Sequence, residues 1–463
     1  MTRKNWLIVG LMAGLLGVVG CGDDDGTTST PDPDMGPMDG GGDDMPTDMP
    51  TAPFAECEGR SAGMVMVSED ITADTVWCAI ETYRLTNAIF VRGGTLFIQP
   101  GTTVLGGAGG AEGENAIIVT VAGRMEAVGT VSAPITFTSA NEGAARRPGD
   151  WGGVVLLGDA TLNEQAGVAN IEGLPPGAEG AQYGGSNDAA DCGSLRYVRI
   201  QYAGFEFGGA NELNGLTLGG CGTGTDLDFI QSHGGLDDGI EFFGGTANGT
   251  HFVVSSTEDD GLDTDQGYLG TVQFIIVQGG GGSDHGFEMD NSEDAPFTNT
   301  SPISRPKVWN GTLFGEGVDG QGEGIELAEN THAELRNILI ANYPFNECID
   351  LDDEQQVDAC EAGDCVLEGV LTTNCETDIL VDPTSTFDFA TGNRFGETGM
   401  FLTDPANQDF TPAGGADLTT DAVTPTNLPN DEDFDATATY IGAIEPGGTD
   451  WTQGWTDYPA LGG

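Results

Sequence analysis

Along most of the chain, short apolar and β-branched runs alternate with glycine-rich turns, and the runs fall into two interleaved families. One family reads LDFIQS (Leu227 to Ser232), HFVVSS (His251 to Ser256), VQFIIVQ (Val272 to Gln278), KVWNGTLF (Lys307 to Phe314) and LRNILIA (Leu335 to Ala341). The other aligns on a single position: DDGIEFFGG (Asp237 to Gly245), DDGLDTDQG (Asp259 to Gly267), DHGFEMDNS (Asp284 to Ser292), GEGIELAEN (Gly322 to Asn330) and NECIDLDDE (Asn346 to Glu354). The aligned anchors are Gly239, Gly261, Gly286, Gly324 and Cys348, with successive spacings of 22, 25, 38 and 24. No stretch sustains a helical period, so the expected class is all-β. Two strands per unit and a period in the low twenties mark a solenoid. The pattern predicts a parallel β-helix, right-handed by the crossover preference.

Side-chain direction follows from the period of two in a strand. Residues one and three past each anchor are mainly apolar (Ile240 and Phe242, Leu262 and Thr264, Phe287 and Met289, Ile325 and Leu327, Ile349 and Leu351) and are expected to fill the coil. Residues two past the anchor then point outward as a column of acids: Glu241, Asp263, Glu288, Glu326 and Asp350. A second outward column holds Asp265, Asp290 and Asp352. The preceding rung, NGLTLGG (Asn214 to Gly220), fits the same frame with Thr217 and Gly219 outward, so the repeat does not require acids there. Either the ladder is a cation site, or it is a solvated face in which Asp serves partly as a turn former.

Composition sharpens that choice. The 463 residues hold 74 acids against 14 Lys and Arg, a formal net charge of -60. Such a charge excludes nucleic acid as a partner and favours cation binding or a high-salt habitat. The first 20 residues carry Arg3 and Lys4 followed by an apolar run from Trp6 to Val19, too short to span a bilayer comfortably, which reads as an export signal. The run ends Gly17-Val18-Val19-Gly20-Cys21, resembling a bacterial lipobox, and implies that Cys21 is lipidated and tethers the mature chain to the outer membrane, exposed at the surface. Residues 21–53 are an Asp-, Gly-, Thr-, Pro- and Met-rich tether too poor in apolar side chains to fold. Residues 54–394 are expected to form the β-helix with its N-terminal cap, and 395–463 a closing segment. The remaining cysteines, Cys57, Cys78, Cys192, Cys221, Cys348, Cys360, Cys365 and Cys375, are even in number in an exported chain, which suggests disulfides. Cys57 with Cys78, and Cys192 with Cys221, are natural local clips; the other pairings stay open.

Further segments, GGTLFIQPGT (Gly93 to Thr102), AGRMEAVGTVSAPITFTS (Ala122 to Ser139), GDWGGVVLLG (Gly149 to Gly158), NELNGLTLGGCGTGTDLDFIQSHGGLDDGIEFFGGT (Asn211 to Thr246) and YIGAIEPGGTDWTQGWTDYP (Tyr440 to Pro459), resemble a bacterial family of secreted and lipid-anchored right-handed β-helix proteins of myxobacteria, marine proteobacteria and Bacteroidetes. The resemblance implies the fold, an N-terminal cap entered through GGTLFIQPGT, and a closing segment with Trp451 and Trp455. It assigns little chemistry.

Hard oxygen ligands in excess point to Ca²⁺, with Asp259, Asp260, Asp263, Asp265, Glu288 and Asp290 as candidate ligands. Asp263 to Gly267 partly matches a DxDxG calcium loop but lacks its terminal Glu, so a site would be assembled across rungs. The expected function is a binding or adhesion module engaging an extracellular glycan or protein, with the membrane as a partner through the lipid. The alternative is a carbohydrate-active enzyme: Asp237-Asp238, Asp259-Asp260 and Asp284-His285-Gly286 loosely resemble motifs of inverting polygalacturonases. Their order differs, and the basic element that would hold an acidic sugar is missing, with Arg305, Lys307 and Arg336 on other segments. His233, His251, His285 and His332 lack metal-ligand spacing along the chain, which argues against zinc. Trp151 and the C-terminal tryptophans are expected in cap packing rather than stacked on sugars.

Overall fold

The glycines that open the acidic strands stand where no side chain fits. In the computed structural model, a Cβ placed on Gly239 would lie 2.7 Å from the Gly261 carbonyl oxygen, one on Gly261 2.5 Å from that of Gly286, one on Gly286 2.5 Å from that of Gly324, and one on Gly324 2.5 Å from that of Cys348. Each rung thus sets its carbonyl against the Cα of the rung before. Backbone hydrogen bonds hold the column, from Gly239 N to Asp260 O (2.8 Å), Gly261 N to His285 O (3.0 Å), Gly286 N to Glu323 O (3.1 Å) and Gly324 N to Glu347 O (3.0 Å).

The structure describes residues 53–461 except 108–114, 175–176, 206–212, 281, 293–298, 353 and 382–387. The expected leader, Cys21 and all of the tether but Pro53 lie outside the described residues. The described chain winds into a parallel β-helix. Nine parallel strands form the sheet that carries the acidic motifs, running from Ile89–Val91 through Ile117–Val119, Val154–Leu157, Leu216–Gly219, Ile240–Phe243, Leu262–Asp265, Phe287–Met289 and Ile325–Leu327 to Asp350–Leu351. A second, 17-stranded sheet wraps the rest of the coil. Its long strands, such as Asp226–His233 and Thr271–Gln278, bend at one left-handed residue per rung: Tyr197, Phe229, His251, Phe274 and Asn310.

The inward column behaves as the alternation requires. Ile240, Phe242, Leu262, Phe287, Met289, Ile325, Leu327, Ile349 and Leu351 join one continuous apolar core with Val254, Val277, Leu313 and Ile340 of the second sheet. At the bend, the left-handed residues stack outside the coil, with Tyr197 on Phe229 at 4.4 Å, Phe229 on His251 at 4.3 Å and His251 on Phe274 at 4.9 Å. The strand Arg394–Glu397 still pairs within the coil, and residues from Val423 to Asp457 run along this corner. Side-chain amides grip their backbone: Gln231 to Asp457, Gln273 to Asp435, Asn310 to Tyr440 and Asn337 to Val423. Trp451 and Trp455 close edge-on over Phe229, while Trp151 is wholly buried and donates to Gln201 O at 2.8 Å. These rings are packing elements.

All eight cysteines after Cys21 are paired, as Cys57–Cys78, Cys192–Cys221, Cys348–Cys375 and Cys360–Cys365. The two local clips form, and the open pairings resolve into a link between adjacent rungs and a five-residue loop. The all-β class holds, and among the described residues a single short α-helix, Glu354–Ala362, is set into it. It is nine residues long, too short for a periodicity to stand out, and it buries Val357, Ala359 and Cys360 beside the final rung.

The glycine stack yields a direct expectation. Gly261→Ala would press a methyl onto Gly286 O and the Val277 side chain and should cost about 1–3 kcal/mol. Gly414→Ala, where nothing lies within 4 Å, should shift the denaturation midpoint little. Equal midpoints for the two variants would show that the rungs have slack.

Candidate functional site

The strand register places the expected acids in one line. Thr217 pairs with Glu241, Glu241 with Asp263, Asp263 with Glu288, Glu288 with Glu326, and Glu326 with Asp350. A second column runs beside it, one residue before each anchor: Asn214, Asp238, Asp260, His285, Glu323 and Glu347. The chain turns at the anchor, so these side chains leave the strand alternation and lean over the outward column. Their side-chain oxygens also brace the next rung. Asn214 Oδ1 accepts from Asp238 N (3.2 Å), Asp238 Oδ1 from Asp260 N (2.9 Å) and Asp260 Oδ1 from His285 N (2.6 Å).

Outward does not mean solvated. Glu241, Asp263 and Asp265 are only 3 %, 7 % and 3 % exposed. An excursion after Leu157 lays Leu162, Ile171, Leu174, Ala181 and Tyr183 over the outer face, against Ile118, Val155, Leu157 and Phe243. Tyr183 Oη donates to Gln266 at 2.7 Å, and Asn163 Nδ2 donates to Asn291 O at 2.7 Å, latching the cover beyond the second outward column. Further along, Glu288, Glu326 and Asp350 are half-buried and Asp352 is exposed. The ladder is therefore a cleft, roofed at its upstream end and open downstream.

The six expected ligands do not converge on one point. Asp259 groups with Asp237 and Asp238, Asp260 with His285 and Glu288, and Asp263 with Asp238 and Glu241, the ligand atoms of each group lying within 4.8 Å of one another. Asp265 and Asp290 belong to none of these groups, although both act electrostatically on Asp263. A further group, Glu326, Asp350 and Asp352, stands at the open end. Asp237, Asp238, Glu241 and His285 were not among the expected ligands. Asp238 and His285 stand one residue before an anchor, Asp237 two before and Glu241 two after, which was legible, but their convergence depends on where the turn throws the side chain.

Bare carboxylates one rung apart, about 4.8 Å, would repel by about 3.5 kcal/mol at an effective dielectric of 20. The arginines that could offset this are engaged elsewhere: Arg196 with Asp226, Asp228 and Asp433, and Arg336 with Glu334 and Glu368. Protons take their place. Burial, reinforced by the charges of Asp260 and of Glu172, lifts Asp238 and Glu241 well above the usual carboxylate range, and burial lifts Asp263 likewise. Burial and a hydrogen bond to Asp260 push Glu288 up to about 12. Burial alone would raise Asp260 too, but hydrogen bonds from His285 and Glu288 outweigh it and hold Asp260 below its ordinary value. Burial would lower His285, yet Asp260, Glu323 and Glu326 keep it protonated far above the ordinary histidine value.

Asp260 and Glu288 thus form a carboxylate and a carboxylic acid in contact. Their closeness, within 4.8 Å, falls below the roughly 5–9.5 Å that separates the two carboxyls of retaining and inverting glycosidases. Arg336 and Lys307 stand on the second sheet, not beside the ladder.

Residues 69–456 match a family model described as a pectate-lyase like beta helix domain. No curated protein and no solved structure matches the chain at a significant level.

The protonated acids fix the sign of a pH effect. A carboxyl whose folded pKa is raised lends stability that is complete below its unfolded value and fades as pH rises through the folded one. Burial and neighbouring acids put Asp259 and Asp350 at about 6, and burial raises the covered acids Asp238, Glu241 and Asp263 in the same direction. In chelator the melting temperature should therefore fall between pH 5 and pH 8, and Asp263→Asn should flatten that slope. A melting temperature that holds or rises over this range would contradict the buried-proton account.

Proposed function

Since the chain belongs to the pectate-lyase-like β-helix domain family, we propose that it is a lipid-anchored binding or adhesion module of the cell surface whose carboxylate ladder holds Ca²⁺. One observation carries the cation reading. Asp238, Glu241 and Asp263 bring three buried carboxylates within 4.8 Å, and beside them Thr217 Oγ1, fully buried and in register with Glu241, has no hydrogen-bond partner. Three carboxylates and a hydroxyl are the hard, oxygen-only set that Ca²⁺ takes, and a divalent cation would replace the protons that otherwise neutralise the group. The open group of Glu326, Asp350 and Asp352 offers a wetter position where a bound cation would keep sites for hydroxyls or carboxylates of a glycan or protein ligand. Asp259, Asp265 and Asp290 line the same cleft and add negative potential that concentrates cations.

A carbohydrate-active enzyme is the second reading. The split protonation of Asp260 and Glu288 favours it, because such pairs mark acid and base roles. The contact between the two and the missing basic element weigh against it. Release of product from a polysaccharide by purified protein, lost in Asp260→Asn, would reverse the order of the two readings.

Millimolar Ca²⁺ should raise the melting temperature more than sodium chloride of equal ionic strength. Binding to the folded state alone adds about 2.7 kcal/mol at a hundredfold excess over Kd. The double variant Asp263→Asn, Asp265→Asn should shrink that increment, and equal shifts from the two salts would reduce the ladder to a screened acidic face. The anchor is tested separately: Cys21→Ser should move the protein from the membrane to the soluble fraction, and retention in the membrane would remove the lipoprotein assignment.

A further inference from the structure

His285 differs in kind from the acids around it. Its Nδ1 donates to Asp260 Oδ1 at 3.0 Å, and the same oxygen accepts the His285 backbone N–H at 2.6 Å, so the ring is held from two directions by one carboxylate. That leaves Nε2 facing the mouth of the cleft. It lies 3.3 Å from Glu323 Oε2, 3.3 Å from Glu326 Oε2 and 3.9 Å from Asp284 Oδ1.

Those separations leave room for a metal in place of the proton. A single Nε2–H can be aimed at one acceptor, whereas two stand at equal range, and both are beyond the roughly 2.7–3.2 Å of an ordinary N–H···O bond. Two ligands on a tetrahedral ion, each about 2.1 Å from it, are about 3.4 Å apart. An imidazole with a carboxylate behind its far nitrogen is also the usual arrangement of a metal-bound histidine, since that carboxylate fixes the tautomer and strengthens the donor. The ring itself is 8 % exposed, but the Asp284 side chain is 60 % exposed, so an ion has a path in from solvent.

We propose that His285 Nε2, Asp284 and Glu323, whose ligand atoms lie within 4.8 Å of one another, form a site for a single divalent transition-metal ion, Zn²⁺ by ligand type, with water completing the shell and Asp260 orienting the ring. Ca²⁺ takes oxygen ligands, whereas imidazole combined with carboxylate suits Zn²⁺. The ion would take the place of the Nε2 proton, which leaves to solvent as the metal binds. The ligands come from separate stretches of chain, with Glu323 38 residues after His285, so no local spacing announces the set. The site is distinct from both calcium groups, since neither Asp238, Glu241 and Asp263 nor Glu326, Asp350 and Asp352 contains any of its three ligands.

The test is calorimetric titration of chelator-treated, full-length protein with Zn²⁺ in the presence of millimolar Ca²⁺. One equivalent should bind, and Co²⁺ in its place should give visible ligand-field bands. His285→Gln should abolish the binding, and Asp260→Asn should weaken it about ten- to a hundredfold. Asp263→Asn should leave it unchanged while still reducing the calcium increment, which keeps the two readings separable. Circular dichroism checks the fold of each variant; should His285→Gln fail to fold, Glu323→Gln, on a half-buried residue, decides in its place. No stoichiometric Zn²⁺ binding, binding that survives both variants, or displacement of Zn²⁺ by equimolar Ca²⁺ would overturn the proposal.

Discussion

The contact on which the site depends is the seating of one rung's carbonyl oxygen against the Cα of another at the anchor column. Gly215, Gly239, Gly261, Gly286 and Gly324 share it, and at each a Cβ would lie within 2.7 Å of a carbonyl oxygen of the following rung. Close stacking at the turn aligns the residues on either side of it. The residue two places on falls into the outward column, and the residue one place back leans across to meet it. A looser turn would let both columns splay, and the acids would behave as separate surface charges. The reactivity of the face is thus a by-product of how tightly the backbone can be stacked.

Given that alignment, the ladder has to dispose of its charge, and it does so differently along its length. Under the Leu162 and Tyr183 cover, burial keeps Asp238, Glu241 and Asp263 protonated. At the mouth, His285 supplies positive charge to Asp260, Glu323 and Glu326. Elsewhere on the coil, ordinary ion pairs suffice, as at Arg196 and Arg336 on the second sheet. The acidic face is therefore not a uniform feature of an acidic protein but a graded one, set by the cover.

Much of this was legible in the sequence. Period-two alternation around a recurring glycine is a local signal, so the β-helix, its inward column from Ile240 to Leu351 and the outward line from Glu241 to Asp350 could be read directly. The burial of that line could not, because the covering residues Leu162, Ile171 and Tyr183 belong to an excursion with no repeat of its own. His285 was visible only as part of a short motif; its partners Glu323 and Glu326 are adjacent in space because rungs stack, and a 38-residue step conceals that. The helix Glu354–Ala362 escaped for a third reason, since nine residues give barely two turns in which a period can show.

Cys348 occupies the last place in the glycine column and is bonded to Cys375 of the adjoining segment. From Gly215 to Gly324 no side chain fits the column, and at Cys348 it ends in a covalent stop. Between Gly215 and that stop, every turn repeats the same backbone solution and differs mainly in what it displays. Duplicating or deleting one whole turn within this stretch would change the number of displayed groups and also the rungs that the closing segment grips at Gln231, Gln273, Asn310 and Asn337. The body can be regarded as a ruler whose graduations are side chains, with a fixed terminus against which its length is counted.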